Sequence, residues 1–156
     1  MIFVMRKLDV SGSLGMQVFL TSKSLERLAE AEMKNRLSLT GSMWKVILAL
    51  NLRDGLSQKE LAEKIYVDGS TLVPIIDRME RSRLLERRPD PKDRRNNRIF
   101  LTKKSESIVD SIVEIILAVR KAIYKGLSNE EIESSRIILK KIMHNADSTT
   151  NKITSY

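Results

Sequence analysis

The 156 residues suffice for one globular core with helical extensions, and 42% hydrophobic content is ordinary for such a chain. Its net charge of +8 is not: between Arg78 and Lys104, eleven Lys/Arg face four Asp/Glu, a local excess of +7 that points to a polyanionic partner. With no cysteine and a single His144, disulfides, thiolate zinc sites, thiol redox sensing and histidine metal clusters are excluded, and no cofactor is expected.

Residues 1–13 read as a loose arm punctuated by Ser11, Gly12 and Ser13. Its apolar start, Met1 to Met5, is too short for a signal peptide, and no run approaches the roughly 18 apolar residues of a membrane span. A cytoplasmic protein without membrane contact is expected. From Leu14 to Leu37, Val18, Leu25, Leu28 and Ala29 recur at helical spacing, with Lys23, Glu26, Arg27 and Glu30 towards water. Thr40 announces a second helix carrying Met43, Trp44, Ile47, Leu48 and Leu50, which Arg53-Asp54-Gly55 ends. Trp44, at helical spacing among apolar neighbours, reads as core rather than as a ligand platform.

Ser57-Gln58-Lys59-Glu60 has the spacing of a capping box and opens a short helix, Gln58 to Ile65, with Leu61, Ala62 and Ile65 inward. Tyr66-Val67-Asp68-Gly69 is the turn. A helix then spans Ser70 to Arg83, burying Leu72, Ile75, Ile76 and Met79 and presenting Ser70, Pro74, Asp77, Arg78 and Arg81. Proline is tolerated in a first turn, which moves the start of this helix towards Thr71 or Leu72. Leu84–Arg87 and Arg98–Thr102 read as strands around a tip that holds both Pro89 and Pro91. Arg87, Arg88, Lys92, Arg94, Arg95 and Arg98 against Asp90 and Asp93 make this hairpin a basic finger suited to a phosphate backbone. Helix, turn, helix and basic hairpin together form a winged helix-turn-helix.

Beyond Thr102, the next helix carries Ile108, Val109, Ile112, Val113, Ile115, Ile116, Leu117 and Val119, leaving almost no polar face. Such a helix is buried on more than one side, and a chain this small implies a partner subunit. Gly126 breaks the chain, Ser128 to Glu131 recaps it, and a last helix carries Ile132, Ile137, Ile138, Leu139, Ile142 and Met143. The polar tail from Asn145 is expected to fray. The fold class is therefore mainly α (α+β): a winged helix-turn-helix with a short β-hairpin wing between N- and C-terminal dimerisation helices. Its domains are 1–36 (arm and dimerisation helix), 37–103 (winged motif) and 104–156 (dimerisation helices and tail). The dimer seam is assigned to Ile108, Ile112, Ile115, Ile116, Val119, Ile138 and Ile142. Nothing pairs a nucleophile with a base and no Gly-rich phosphate loop occurs, so no enzyme is expected.

Several of these stretches resemble one family. Leu39-Thr40, Ser57-Gln58-Lys59-Glu60-Leu61-Ala62, Ser70-Thr71-Leu72 and Ile76-Asp77-Arg78-Met79-Glu80 look like the multiple-antibiotic-resistance (MarR) regulators. So does the wing, with Leu85-Glu86-Arg87-Arg88, Asp90-Pro91, Asp93-Arg94-Arg95 and Leu101-Thr102. The resemblance implies a homodimer on a pseudo-palindromic duplex, usually as a repressor. It places Ser70, Thr71 and Arg78 in the major groove and Arg94 in the minor groove or on its phosphates, with Asp93 and Arg95 bracing the wing. Gln58, Val73, Lys92, Arg95 and Arg98 complete the expected DNA-facing set. The resemblance also implies a small aromatic or amphipathic effector, for which the sequence supplies no fingerprint. Trp44, Tyr66, Met43 and Arg36 lie near the expected crevice. Three residues depart from the pattern: Pro74, Val73 (which offers only apolar contact) and Lys104-Ser105, where glycine is usual. The alternative is an architectural DNA binder with no effector.

Overall fold

A computed structural model describes residues 12–39, 41–93 and 96–154. Thr40, Arg94, Arg95 and most of the N-terminal arm lie outside the described residues. In chain order the elements are α1 (Leu14–Leu37), α2 (Met43–Leu52), β1 (Leu56–Ser57), α3 (Gln58–Ile65), α4 (Gly69–Arg81), β2 (Leu85–Pro89), β3 (Asn97–Leu101), a single 3-10 turn (Lys103–Ser105), α5 (Glu106–Ile123) and α6 (Asn129–Thr154). The chain divides into two compact units, Met1–Leu117 and Ala118–Tyr156. No described helix is long and apolar enough to cross a membrane.

In the first unit the core draws one or more residues from most elements: Met33, Val46, Ile47, Leu50, Leu61, Leu72, Ile76, Met79, Leu85, Ile99, Ile112 and Ile115 are all essentially inaccessible. The inward set of α4 is the expected one, Leu72, Ile76 and Met79 at i, i+4 and i+7. Ile112 and Ile115, assigned from sequence to a dimer seam, are covered here by their own chain, at 0% and 1% exposure. The same helix turns Val113 and Leu117 outward, 40% and 53% exposed.

Three local features differ from expectation. First, α4 begins at Gly69, so Pro74 lies inside the helix as its sixth residue rather than in its first turn. Proline there cannot donate to the Ser70 carbonyl. Both residues are exposed, so solvent can take the lost bond. Second, Pro89 belongs to β2, opposite Asn97, and not to the tip. The sheet order is β1-β3-β2, which makes β2 an edge strand, where a residue lacking N–H is tolerated. Third, α6 continues to Thr154, past Asn145, and the Thr149 hydroxyl donates back to the Asn145 carbonyl at 2.8 Å.

The sheet also contains a strand that sequence reading passed over. β1 is two residues long and pairs antiparallel with β3, Leu56 opposite Ile99 and Ser57 opposite Arg98. Gly55 leads into it with φ +71, a left-handed conformation that side chains resist. A Cβ there would come within 2.9 Å of the Phe100 ring, so glycine is required for conformation and for space. Ser105, where the resemblance leads one to expect glycine nearby, is fully buried and its hydroxyl donates to the Leu84 carbonyl.

In the second unit α6 opens with the expected capping box: Ser128 N–H donates to the Glu131 carboxylate at 2.7 Å and Glu131 N–H to the Ser128 hydroxyl at 3.2 Å. Ile137, Ile138, Leu139 and Met143 are each about half exposed, at 48, 52, 47 and 53%.

Candidate nucleic-acid interface

The site begins with the capping box of α3. Ser57 N–H donates to Glu60 Oε2 at 2.8 Å, and Glu60 N–H donates to Ser57 Oγ at 3.2 Å. Glu60 also meets Arg98 Nη1 at 3.4 Å and Arg53 Nη2 at 3.8 Å. The Ser57 amide, the Ser57 hydroxyl and then the two guanidinium charges hold its carboxyl below the usual range. α3 ends at Tyr66, which takes a left-handed conformation, φ 56, and reverses the chain into α4. The outer face of α4 then presents Ser70, Thr71, Val73, Pro74, Arg78 and Arg81, all exposed.

Two arginines of the hairpin point inward rather than towards a ligand. Arg87, on β2, donates through Nη2 to Asp77 Oδ1 at 2.6 Å and through Nη1 to Glu80 Oε2, and its amide reaches Glu80 Oε1 at 3.1 Å. Asp77 and Glu80 lie on α4, so this fork ties the hairpin to the second motif helix. Burial works against the Arg87 charge, but the bonds from Asp77 and Glu80 outweigh it and raise its pKa.

Arg98, on β3, makes the matching junction with the first motif helix. Its Nε donates to Asp90 Oδ2 at 2.7 Å, and its Nη1 to the Gly55 carbonyl at 3.0 Å and to Glu60. Asp90 is buried and also accepts from the Lys92 amide at 2.8 Å. The Lys92 amide first, and the Arg98 guanidinium after it, hold the Asp90 carboxyl below its usual range. Among the described residues, then, the wing is braced by Asp90 with Arg98. Asp93 accepts from Asn96 through its carboxylate at 3.1 Å and its carbonyl at 2.9 Å.

The other expected positions fall as follows. Gln58, Thr71 and Val73 line one open groove of about 1010 Å³ with Lys59, Glu63, Tyr66 and Val67. Lys92 is exposed at the wing tip beside Arg94 and Arg95, which are not described. Arg88 lies 4.4 Å from the Phe100 ring centroid and donates to Glu86 at 2.7 Å. Of the crevice candidates, Met43 is buried and Arg36 exposed. Tyr66 is 87% exposed in the motif turn. The half-buried Trp44 keeps its indole N–H away from solvent with no acceptor among the described residues. No group of three or more His, Asp or Glu among the described residues could hold a metal ion.

Sequence reading missed the inward roles of Arg87 and Arg98. The available signal was Asp77 and Glu80, three residues apart and so on one helix face, just before the strand that carries Arg87. The exposure of Tyr66 had no such signal.

A helix-turn-helix with a basic hairpin clamped beside it is a winged helix-turn-helix, a DNA-binding architecture. Residues 39–96 match the model of the MarR family. Among solved structures, the chain is similar to the transcriptional regulator PA3341, with 29% identity over 86% of this chain and 98% of that one and a TM-score of 0.79. It shares its fold with a mutant MarR from E. coli complexed with operator DNA, with 22% identity, coverage of 87% and 98%, and a TM-score of 0.78. It likewise shares its fold with Bordetella bronchiseptica BpsR, described as regulated in its DNA binding by 6-hydroxynicotinic acid, with 20% identity, coverage of 88% and 97%, and a TM-score of 0.77. The family match covers the winged motif, and members of that family are transcription regulators rather than enzymes.

The Asp90–Arg98 junction gives a pH dependence of known sign. A carboxyl whose pKa is depressed on folding stabilises the structure above its unfolded pKa, and that contribution is lost as pH falls through the folded value. The protection of the Arg98 Nε proton against exchange relative to free arginine, followed by NMR, should therefore hold near neutrality and be lost below the ordinary carboxylate range. Unchanged protection through that acid range would contradict the junction.

Proposed function

We propose that the protein is a homodimeric repressor that binds a pseudo-palindromic operator and is released by a small aromatic or amphipathic effector. The observation that carries the reading is the double clamp, which holds a basic hairpin against both motif helices while Ser70, Thr71 and Arg78 stay exposed on α4. In this reading α4 lies in the major groove of each half-site. Lys92, Arg94 and Arg95 follow the backbone or enter the minor groove, where arginine is attracted by the negative potential. Such work is done in the cytoplasm. The operator complex of the E. coli relative supports the DNA partner.

Footprinting on the gene's own upstream DNA should protect one inverted repeat with half-sites about one helical turn apart. Arg94→Ala should weaken binding and lower the slope of log affinity against log salt by about one for each wing tip that engages a phosphate. Diffuse protection would favour an architectural binder, and an unchanged slope would remove the wing tip from the interface.

Dimerisation is supported by apolar side chains left open on each unit: Phe19, Leu20, Leu25 and Leu28 on α1, and Ile137, Ile138, Leu139 and Met143 on α6. Exposed apolar area of this kind marks a contact surface. Ile138→Asp should leave a folded chain of half the native mass by light scattering. Ile112→Asp should instead abolish the helical circular dichroism, because Ile112 is buried within one chain. An Ile138→Asp protein of native mass would contradict the seam.

The effector reading is supported by the BpsR relative and by Trp44, whose sequestered N–H has room in its chemistry for a carboxylate acceptor. Small aromatic acids titrated into the protein should change the fluorescence of this single tryptophan over the same concentrations that erase the footprint. Loss of the footprint without any change at Trp44 would move the effector elsewhere.

A further inference from the structure

On α4, three of the large apolar side chains, Leu72, Ile76 and Met79, are 0% exposed, and Ile75 is half-buried. Val73 stands apart at 43% exposure, and the exposed ring of Pro74 follows it. Neither residue suits an outward helical position for its own sake. A β-branched side chain loses rotamer freedom in a helix, and proline removes a helical hydrogen bond. Val73 also lines the open groove beside Gln58, Tyr66 and Thr71, so an apolar surface lies among polar ones.

What such a surface can recognise on DNA is narrow. In the major groove the base edges offer hydrogen-bond donors and acceptors and one apolar group, the C5-methyl of thymine. The first two turns of α4, Gly69 to Ile76, contain no Arg, Lys, Asn or Gln, the side chains that make paired hydrogen bonds to guanine or adenine. Arg78 and Arg81 come only in the later turns.

We propose that Val73, with Pro74 beside it, reads thymine in each half-site by burying the C5-methyl group. Base choice at that step then depends on an apolar contact and not on a hydrogen bond. The inference rests on the DNA-binding reading above and names the base it selects. Burial of one methyl group corresponds to about a fourfold gain in affinity, and two symmetry-related contacts to about sixteenfold.

The test uses the full chain and the sequence it protects in its own upstream DNA. Duplexes of that sequence are made with 2′-deoxyuridine replacing thymine one position at a time, and affinities are measured by titration. One position per half-site should lose about fourfold on the exchange, and about sixteenfold when both half-sites are changed. In Val73→Ala the ratio of thymine to uracil affinity at that position should fall towards one. Equal affinity for all uracil duplexes overturns the inference and leaves the regulator reading intact. A thymine preference that survives Val73→Ala also overturns it. No protected sequence at all would remove the regulator reading, and this inference with it.

Discussion

The reading surface depends on two guanidinium forks. Arg87 binds Asp77 and Glu80 of α4, and Arg98 binds Asp90 and Glu60, so the hairpin is held against both helices of the motif. Arginine suits this work because its planar fork satisfies two acceptors at once and keeps its charge when partly buried. The Arg87 side chain is only 19% exposed, whereas Asp77 and Glu80 are 46% and 39% exposed. The cluster therefore lies between the limits for ion pairs. An exposed pair is worth at most about 1 kcal/mol, and breaking a fully buried one costs about 3–5 kcal/mol. Its value is geometric as much as energetic: beside the buried Leu85 and Ile99 that anchor the hairpin in the core, the forks add directional ties to α4 and α3.

This division changes what the basic stretch means. The local excess of +7 suggests a finger whose cations all face DNA, yet Arg87 and Arg98 are engaged within the fold and Arg88 rests over Phe100. The number of phosphates such a surface can neutralise is thus smaller than its charge count. The salt dependence of binding follows contacts made, not charges present. The carboxylates of the stretch serve the same end: Asp90 and Glu60 are acceptors that orient arginines, and both are held in the charged form.

Most of the helices were legible because their signals are local. The capping boxes at Ser57 and Ser128 need only four residues, and the inward stripe of α4 only two turns. What escaped depended on distant partners or on a single residue's context. β1 is too short to show alternation and exists because β3 lies beside it. Pro89 could enter a strand only because β2 is an edge, which depends on sheet order. Pro74 looked like a helix boundary, but an exposed position tolerates its missing bond. Arg98 reaches acceptors 8, 38 and 43 residues away, a pattern no periodicity reveals.

The apolar circumference of α5 also resolves into two parts. A helix with almost no polar face suggested burial on more than one side with a partner subunit, and of its apolar residues Ile112 and Ile115 are covered by their own chain, while Val113 and Leu117 remain open. Sequence hydrophobicity alone cannot separate these, since core and interface use the same side chains. The distinction bears on regulation. In the repressor proposed above, a winged motif braced by its forks would act as one body, so an effector would not need to deform the reading surface to release DNA. Under that proposal it would need only to bind better to a dimer arrangement in which two such bodies are wrongly spaced for the operator, and its influence would be limited by that difference in affinity.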